Sequence, residues 1–325
     1  MEPATPSRAM NKSAAATDPD THPAPSPPAE TPAAATKTRI LVALLLVYVI
    51  WSSTYLAIRI AVRHFPPFQM AGGRFVVAGL LLALWLRLRG DPLPTGRQWL
   101  ASIPGGVLLF LAGNGIVSIA SQTVSSAVVA VMSATTPLFA ALIETLRGRR
   151  QRPGEWLGMV CGIVGVSVLM LRSELRAQPA TAAMMLLAPI GWALGSTWAR
   201  SLPMPPGLMG AAAQMFTGGV AMLVVAILRG EPLLVSFPLL ETVSVIYLVI
   251  FGSLIGFSAY TYLLRHTRPA VAMSYAYVNP VLAAFIAAVC GDSQVTLATV
   301  IATVLIAASV ASVITANRPP TKPRS

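Results

Sequence analysis

Charged side chains are scarce in this sequence: 10% of its 325 residues are Asp, Glu, Lys or Arg, against roughly 25% in a soluble domain. The shortfall excludes a water-covered globular surface of this size. Acidic residues number 11 and histidines three, and nowhere does their spacing suggest a metal site. Two cysteines, Cys161 and Cys290, exclude a disulfide framework and zinc-binding spacing. The phosphate-cradling GxxxxGK[ST] run, the HExxH motif and any plausible Ser-His-Asp set are missing too. Primary pumping by this chain alone is therefore not expected. An enzyme would need charged or His-bearing loops, and the loops are short, so neither catalysis nor a cofactor is expected.

What the sequence has is apolar surface. It is 55% hydrophobic with a mean hydropathy of +0.70. Runs of about 20 apolar residues, enough to cross a bilayer, recur between Ile40 and Ala316. The pattern predicts an all-α integral membrane protein of ten transmembrane helices, at 40–62, 67–87, 99–120, 125–145, 154–171, 180–199, 206–228, 240–264, 269–289 and 296–316. Clusters of Pro, Gly and Arg separate them. Residues 1–36 are rich in Pro, Ala, Ser and Thr and poor in large apolar side chains. Such a segment buries too little to order itself, and a disordered cytoplasmic tail is expected there, with a second short tail at 317–325.

The net charge of +12 resembles a nucleic-acid signal, but the basic residues sit in short loops with no basic face, so no nucleic-acid partner is expected. Loop bases orient membrane proteins instead. With both termini cytoplasmic, the inner side collects Arg8, Lys12, Lys37, Arg39, Arg87, Arg89, Arg97, Arg147, Arg149, Arg150, Arg152, Arg200, Arg265, Arg268, Arg318, Lys322 and Arg324. The outer side keeps Arg59, Arg63, Arg172, Arg176 and Arg229, and Arg74 lies inside a span.

The two halves match in order. Ser53-Thr54-Tyr55 pairs with Ser196-Thr197-Trp198, Pro66-Pro67 with Pro205-Pro206, and Met70-Ala71 with Met209-Gly210. Arg89-Gly90-Asp91-Pro92-Leu93 pairs with Arg229-Gly230-Glu231-Pro232-Leu233, Gly113 with Gly256, Ala127-Val128 with Ala270-Val271, and Pro137 with Pro280. The predicted repeats are 37–172 and 180–316. Each holds five spans, an odd number, so the second copy enters the membrane inverted relative to the first. Inverted repeats are typical of secondary transporters.

The run Tyr48-Val49-Ile50-Trp51-Ser52-Ser53-Thr54-Tyr55, with Arg59, Pro66-Pro67, Met70-Ala71 and Arg74-Phe75, resembles the opening of the EamA-type exporters of the drug/metabolite transporter superfamily, in particular their YedA-like group. Ser274-Tyr275-Ala276-Tyr277-Val278-Asn279-Pro280-Val281 resembles their ninth helix. The resemblance covers about residues 40–316. It implies ten helices in two EamA repeats, cytoplasmic termini and efflux across a bacterial inner membrane. The substrate implied is a small organic metabolite or drug, amino acids and related compounds included. A channel or receptor-like membrane protein is the alternative.

Candidate site residues follow from polar groups in mid-span. Pro137 and Pro280 each free a backbone carbonyl four residues back, that of Ser133 or Ala276, and are kink or gating candidates expected to face each other at the midplane. Thr136 and Asn279 precede them. Tyr275 and Asn279, four apart, share a helix face, and an aromatic with an amide suits an amphipathic solute. Asn114 could line the same cavity or lock the third helix to a neighbour. Trp51 could stack on a ligand or pack between repeats. Arg74 could snorkel outward, hold an anion or brace helices through carbonyls. An interfacial position is expected for at least one of Tyr260 and Tyr262. Glycines at 154, 158 and 162, at 191 and 195, and at 252 and 256 read as helix seams. No carboxylate lies at mid-span, so proton coupling finds no relay there; exchange, facilitated movement or coupling through an end-of-span group such as Glu144 is expected. The partners expected are lipid and a small-molecule substrate.

Overall fold

Proline and glycine punctuate the helices where the sequence places them. Pro66 is extended and Pro67 opens a helix, a position where the missing N–H costs nothing. Thr95 and Gln98 cap the next helix reciprocally: Gln98 N–H donates to Thr95 Oγ1 (3.4 Å) and Thr95 N–H to Gln98 Oε1 (2.9 Å). Gly90 and Gly230 take φ of +96° and +65°, which a side chain would disfavour. Behind them Asp91 N–H donates to Leu86 O and Glu231 N–H to Ala226 O. The two matched Arg-Gly-acid-Pro-Leu runs thus close their helices with the same left-handed turn.

The computed structural model describes residues 37–148, 153–172, 178–199, 201–232, 236–267, 269–272, 274–292 and 296–316. The tails expected at 1–36 and 317–325 and the basic stretch 149–152 lie outside them. The described residues are helical with short connections. The helices are α1 (Lys37–Ala61), α2 (Pro67–Leu88), α3 (Gly96–Ala120), α4 (Ser126–Leu146), α5 (Pro153–Arg172), α6 (Pro179–Ala199), α7 (Gly207–Leu228), α8 (Leu239–Leu263), α9 (Tyr275–Val289) and α10 (Leu297–Ala316). Among the described residues seven helices, α1–α4 and α6–α8, are long and apolar enough to cross a membrane. The other three carry shorter apolar stretches, Trp156–Val168, Val278–Val289 and Leu297–Ser309.

The helix contacts respect the repeat. Exchanging α1–α5 for α6–α10 turns α1 on α9 into α6 on α4, α1 on α8 into α6 on α3, and α3 on α7 into α8 on α2. The pairs α2–α7, α5–α10 and α4–α9 map onto themselves. Close backbone approach holds the first of these: a Cβ at Gly79 would lie 2.8 Å from Ala212 O and Phe216 N, and one at Gly72 would lie 2.9 Å from Gly219 O. Gly191 and Gly195 make a similar seam against α3 at Ala112 and Leu109. The expected seam at Gly252 and Gly256 is something else. Those notches face side chains: Arg74 and Thr54 at Gly252, and the Trp51 indole at Gly256.

The exchange fails around one helix. α4 also packs on α1 and α10, and among the described residues α9 makes no contact of comparable extent with α6 or α5.

The outward faces are apolar. α1 exposes Leu41, Leu45 and Val49 while burying Val47, Ile50, Trp51 and Thr54. α8 exposes Leu240, Val243, Ile246 and Ile250. A soluble protein does not carry such continuous apolar cover; a bilayer solvates it.

Two features depart from straight helices. Val107–Gly115 in α3 and Leu248–Ile255 in α8 are wound as π-helix, at nearly matched places in the two repeats. Such segments are rare and often sit at functional sites. α4 breaks at Ala134–Thr135, just before Pro137, whose missing N–H leaves Ser133 O without its helical donor. In α9 the helix runs unbroken through Pro280 from Tyr275 to Val289, and Ser274 marks the turn before it.

Candidate functional site

Residues from both repeats close around one cavity of ≈ 100 Å³. All six predicted site residues line it: Trp51, Arg74, Asn114, Thr136, Tyr275 and Asn279. They come from α1, α2, α3, α4 and α9, which the chain separates by more than 200 residues end to end.

The aromatic wall is built on Trp51. Its ring centroid lies 4.9 Å from that of Tyr275, 5.2 Å from Tyr260, 5.4 Å from Phe257 and 6.5 Å from Trp192, mostly edge to face, the arrangement aromatic quadrupoles favour. Trp51 Nε1–H donates to Gly252 O (3.3 Å). Gly256 leaves the space that the indole fills. Two further bonds fix α1: Tyr48 Oη pairs with Ser274 Oγ (2.5 Å) and Ser53 Oγ with Tyr247 Oη (2.6 Å).

Arg74 does not snorkel. Its side chain is buried and its Nε–H donates to Ser253 Oγ (3.0 Å) in α8. The guanidinium carbon sits 4.5 Å from the centre of the neighbouring Phe75 ring. Among the described residues no carboxylate pairs with Arg74. Gly252, whose Cβ would come within 2.9 Å of Nη2, makes room for the charge.

The polar side chains divide into two kinds. Thr136 Oγ1–H donates to Ser133 O (2.8 Å), the carbonyl that Pro137 frees, so its hydroxyl repairs the break it adjoins. Asn114 Nδ2–H donates to Leu109 O (3.3 Å) within its own π-helical turn. Asn279 differs: its Oδ1 is buried with no hydrogen-bond partner. The two prolines do not line the cavity, although the residue before each does. α9 packs on the first half of α4, at Ala127 against Ala284 and Ala287.

Two stretches of this chain, 38–171 and 180–315, match the model of the EamA-like transporter family. The chain belongs to that family. It is 42% identical over 242 residues to the uncharacterized inner membrane transporter YedA of Escherichia coli K12, covering 74% of this chain and 79% of that one. An uncharacterized transporter of Archaeoglobus fulgidus is 23% identical over 77% of this chain and 88% of its own. A solved crystal structure aligns with a TM-score of 0.59 at 19% identity, over 85% of this chain and 96% of that one, and shares the fold. The protein is accordingly a membrane transporter.

In this EamA-family site, sequence reasoning missed Trp192 and Phe257 of the wall, and Tyr55 beside them on the lining. Phe257 is the repeat mate of Asn114, one residue beyond the matched Gly113 and Gly256, and the repeat could have pointed to it. Trp192 carried no such mark. Tyr260 belongs to the aromatic cluster, whereas Tyr262 stacks on His266 at 4.1 Å.

Among the described residues the carboxylates stand at or near helix ends and in the connections. Glu231 accepts from Phe68 N–H (3.1 Å) and Gln69 N–H (3.0 Å) at the start of α2. Asp292 lies after α9 and binds the start of α4 and the end of α1.

Proposed function

We propose that this protein moves small organic molecules out of the cell by alternating access, as ten spans arranged in two inverted five-helix repeats within a bacterial inner membrane, with both termini cytoplasmic. The observation that carries the reading is the pattern of contacts around the cavity. Most pairs survive exchange of the repeats, and the exceptions gather on α4. Two repeats of one sequence plan can pack in two nearly equivalent ways. In the second packing the exceptional contacts pass to the mate: α9 takes up on α6 and α5 what α4 here holds on α1 and α10. The cavity between them, lined from both repeats, then changes the side it faces.

Support for the direction of the chain comes from its loop bases, concentrated on the side of the termini. The inner membrane is supported by the relative of Escherichia coli, whose name places it there. The cavity supports an organic solute, because an aromatic wall and converging polar side chains line it together.

The test is counterflow. Purified protein in liposomes loaded with unlabelled solutes should accumulate labelled solute transiently and saturably across a panel of small metabolites. Steady conduction without saturation would replace the carrier with a channel. Cysteines placed in the α1–α2 and α6–α7 connections should label from opposite sides of the membrane. Labelling from the same side would end the inverted arrangement.

A further inference from the structure

We infer that the cavity selects organic monoanions: a carboxylate held by Arg74, a ring or alkyl body against the Trp51 wall, and an O–H or N–H donor facing Asn279 Oδ1. The inference rests on the transport reading and adds the chemical class of the solute.

The first observation is the state of Arg74. A guanidinium is always protonated. Burying it without an anion is costly, and inside a membrane protein such a charge faces a partner or a cavity. Here the side chain is 5% exposed, lines the cavity, and has Nε committed to Ser253. The bond at Nε leaves Nη1 and Nη2 for a ligand. Two N–H groups on that end match the two oxygens of a carboxylate. Ser253 Oγ and the Phe75 face are neutral neighbours and leave the charge uncompensated.

The second observation is independent. Asn279 Oδ1 is buried and lacks a hydrogen-bond donor, a desolvation loss that stands unless something supplies one. Asn279 lies on α9 of the second repeat and Arg74 on α2 of the first, and both line the same cavity. A solute carrying an anion and a donor satisfies both groups at once. It also neutralises the cavity as it fills, so the loaded carrier rearranges without a net charge in its middle. A cationic solute meets the opposite condition: it adds a second positive charge beside Arg74, and among the described residues no carboxylate lines the cavity to offset it.

The test uses matched solutes on one skeleton: mandelate, mandelamide and 2-amino-1-phenylethanol, which are anionic, neutral and cationic versions of a hydroxylated benzyl compound, and the same trio on aliphatic skeletons of similar size. Binding to the purified full-length chain is measured by calorimetry, and transport by counterflow. The anion is expected to bind at least tenfold more tightly than its amide and the cation not detectably. Arg74→Gln should bring anion and amide to equal affinity while the amide is unchanged. If Arg74→Gln does not fold, the ratio in the unmodified protein decides alone. Amides or cations binding as tightly as anions would overturn the inference and leave the transport reading standing. Binding and counterflow absent for every trio would remove both.

Discussion

Asp292 Oδ2 accepts two hydrogen bonds from Ser126, from the backbone N–H at 2.9 Å and from Oγ–H at 2.7 Å. One carboxylate after α9 in the second repeat thereby caps α4 in the first. Its other oxygen lies 3.4 Å from Arg59 Nε and 3.9 Å from Arg63 Nη2 at the end of α1. Arg59 Nη1–H in turn donates to Ser121 O (2.5 Å) at the end of α3. With Glu231 capping α2, this face of the bundle is held by two acidic residues from one repeat bound to helix starts of the other. That geometry uses the partial positive charge of a helix N-terminus.

Removing that cap should loosen the bundle. Asp292→Ala deletes the acceptor for Ser126 and the partner of Arg59, and a lost cap alone costs about 1 kcal/mol. The thermal midpoint of the purified protein should fall. Asp292→Asn, which can still cap, should fall less. Equal midpoints for both variants and the parent would show that the cap contributes nothing.

The α2–α7 seam predicts a contrast between two glycines of one helix. A Cβ at Gly79 meets backbone at 2.8 Å, whereas a Cβ at Gly73 has nothing within 4 Å. Gly79→Ala should therefore destabilise by roughly 1–3 kcal/mol and lower the yield of monodisperse protein on size exclusion. Gly73→Ala should match the parent or exceed it slightly, since alanine favours helix.

Asn279 offers a separation of stability from function. Its unpartnered buried oxygen costs the fold rather than supporting it, so Asn279→Ala should keep or raise the melting temperature and lose most of the counterflow. A drop in melting temperature with transport intact would assign the side chain to helix packing instead.

Trp51 should behave in graded steps. Trp51→Phe keeps a ring in the wall and loses only the bond to Gly252 O; transport should fall a few-fold. Trp51→Ala opens the wall on four aromatic neighbours, and a large-to-small change of this kind costs about 3–5 kcal/mol. Gly256→Ala, which intrudes on the indole, should resemble the phenylalanine variant in counterflow.

The sequence by itself determined the membrane class, the helix positions and the two-copy plan. Each of these is written locally: apolar runs set the helices, and Pro, Gly and the Arg-Gly-acid-Pro-Leu turns set their ends. Arg74, Asn114, Thr136, Tyr275, Asn279 and Trp51 were legible as cavity candidates because a polar or polar-edged side chain in a span must find a use.

Only the tertiary structure decided which of those groups are satisfied. Thr136 and Arg74 are both polar side chains in a span, yet one hydroxyl closes on Ser133 O three residues away while the guanidinium reaches α8, 179 residues further along the chain. The same distance in sequence hid Trp192 and the cap at Asp292. Bonds between residues far apart in the chain depend on how helices stack, and hydropathy, a property of neighbours, carries no record of that stacking.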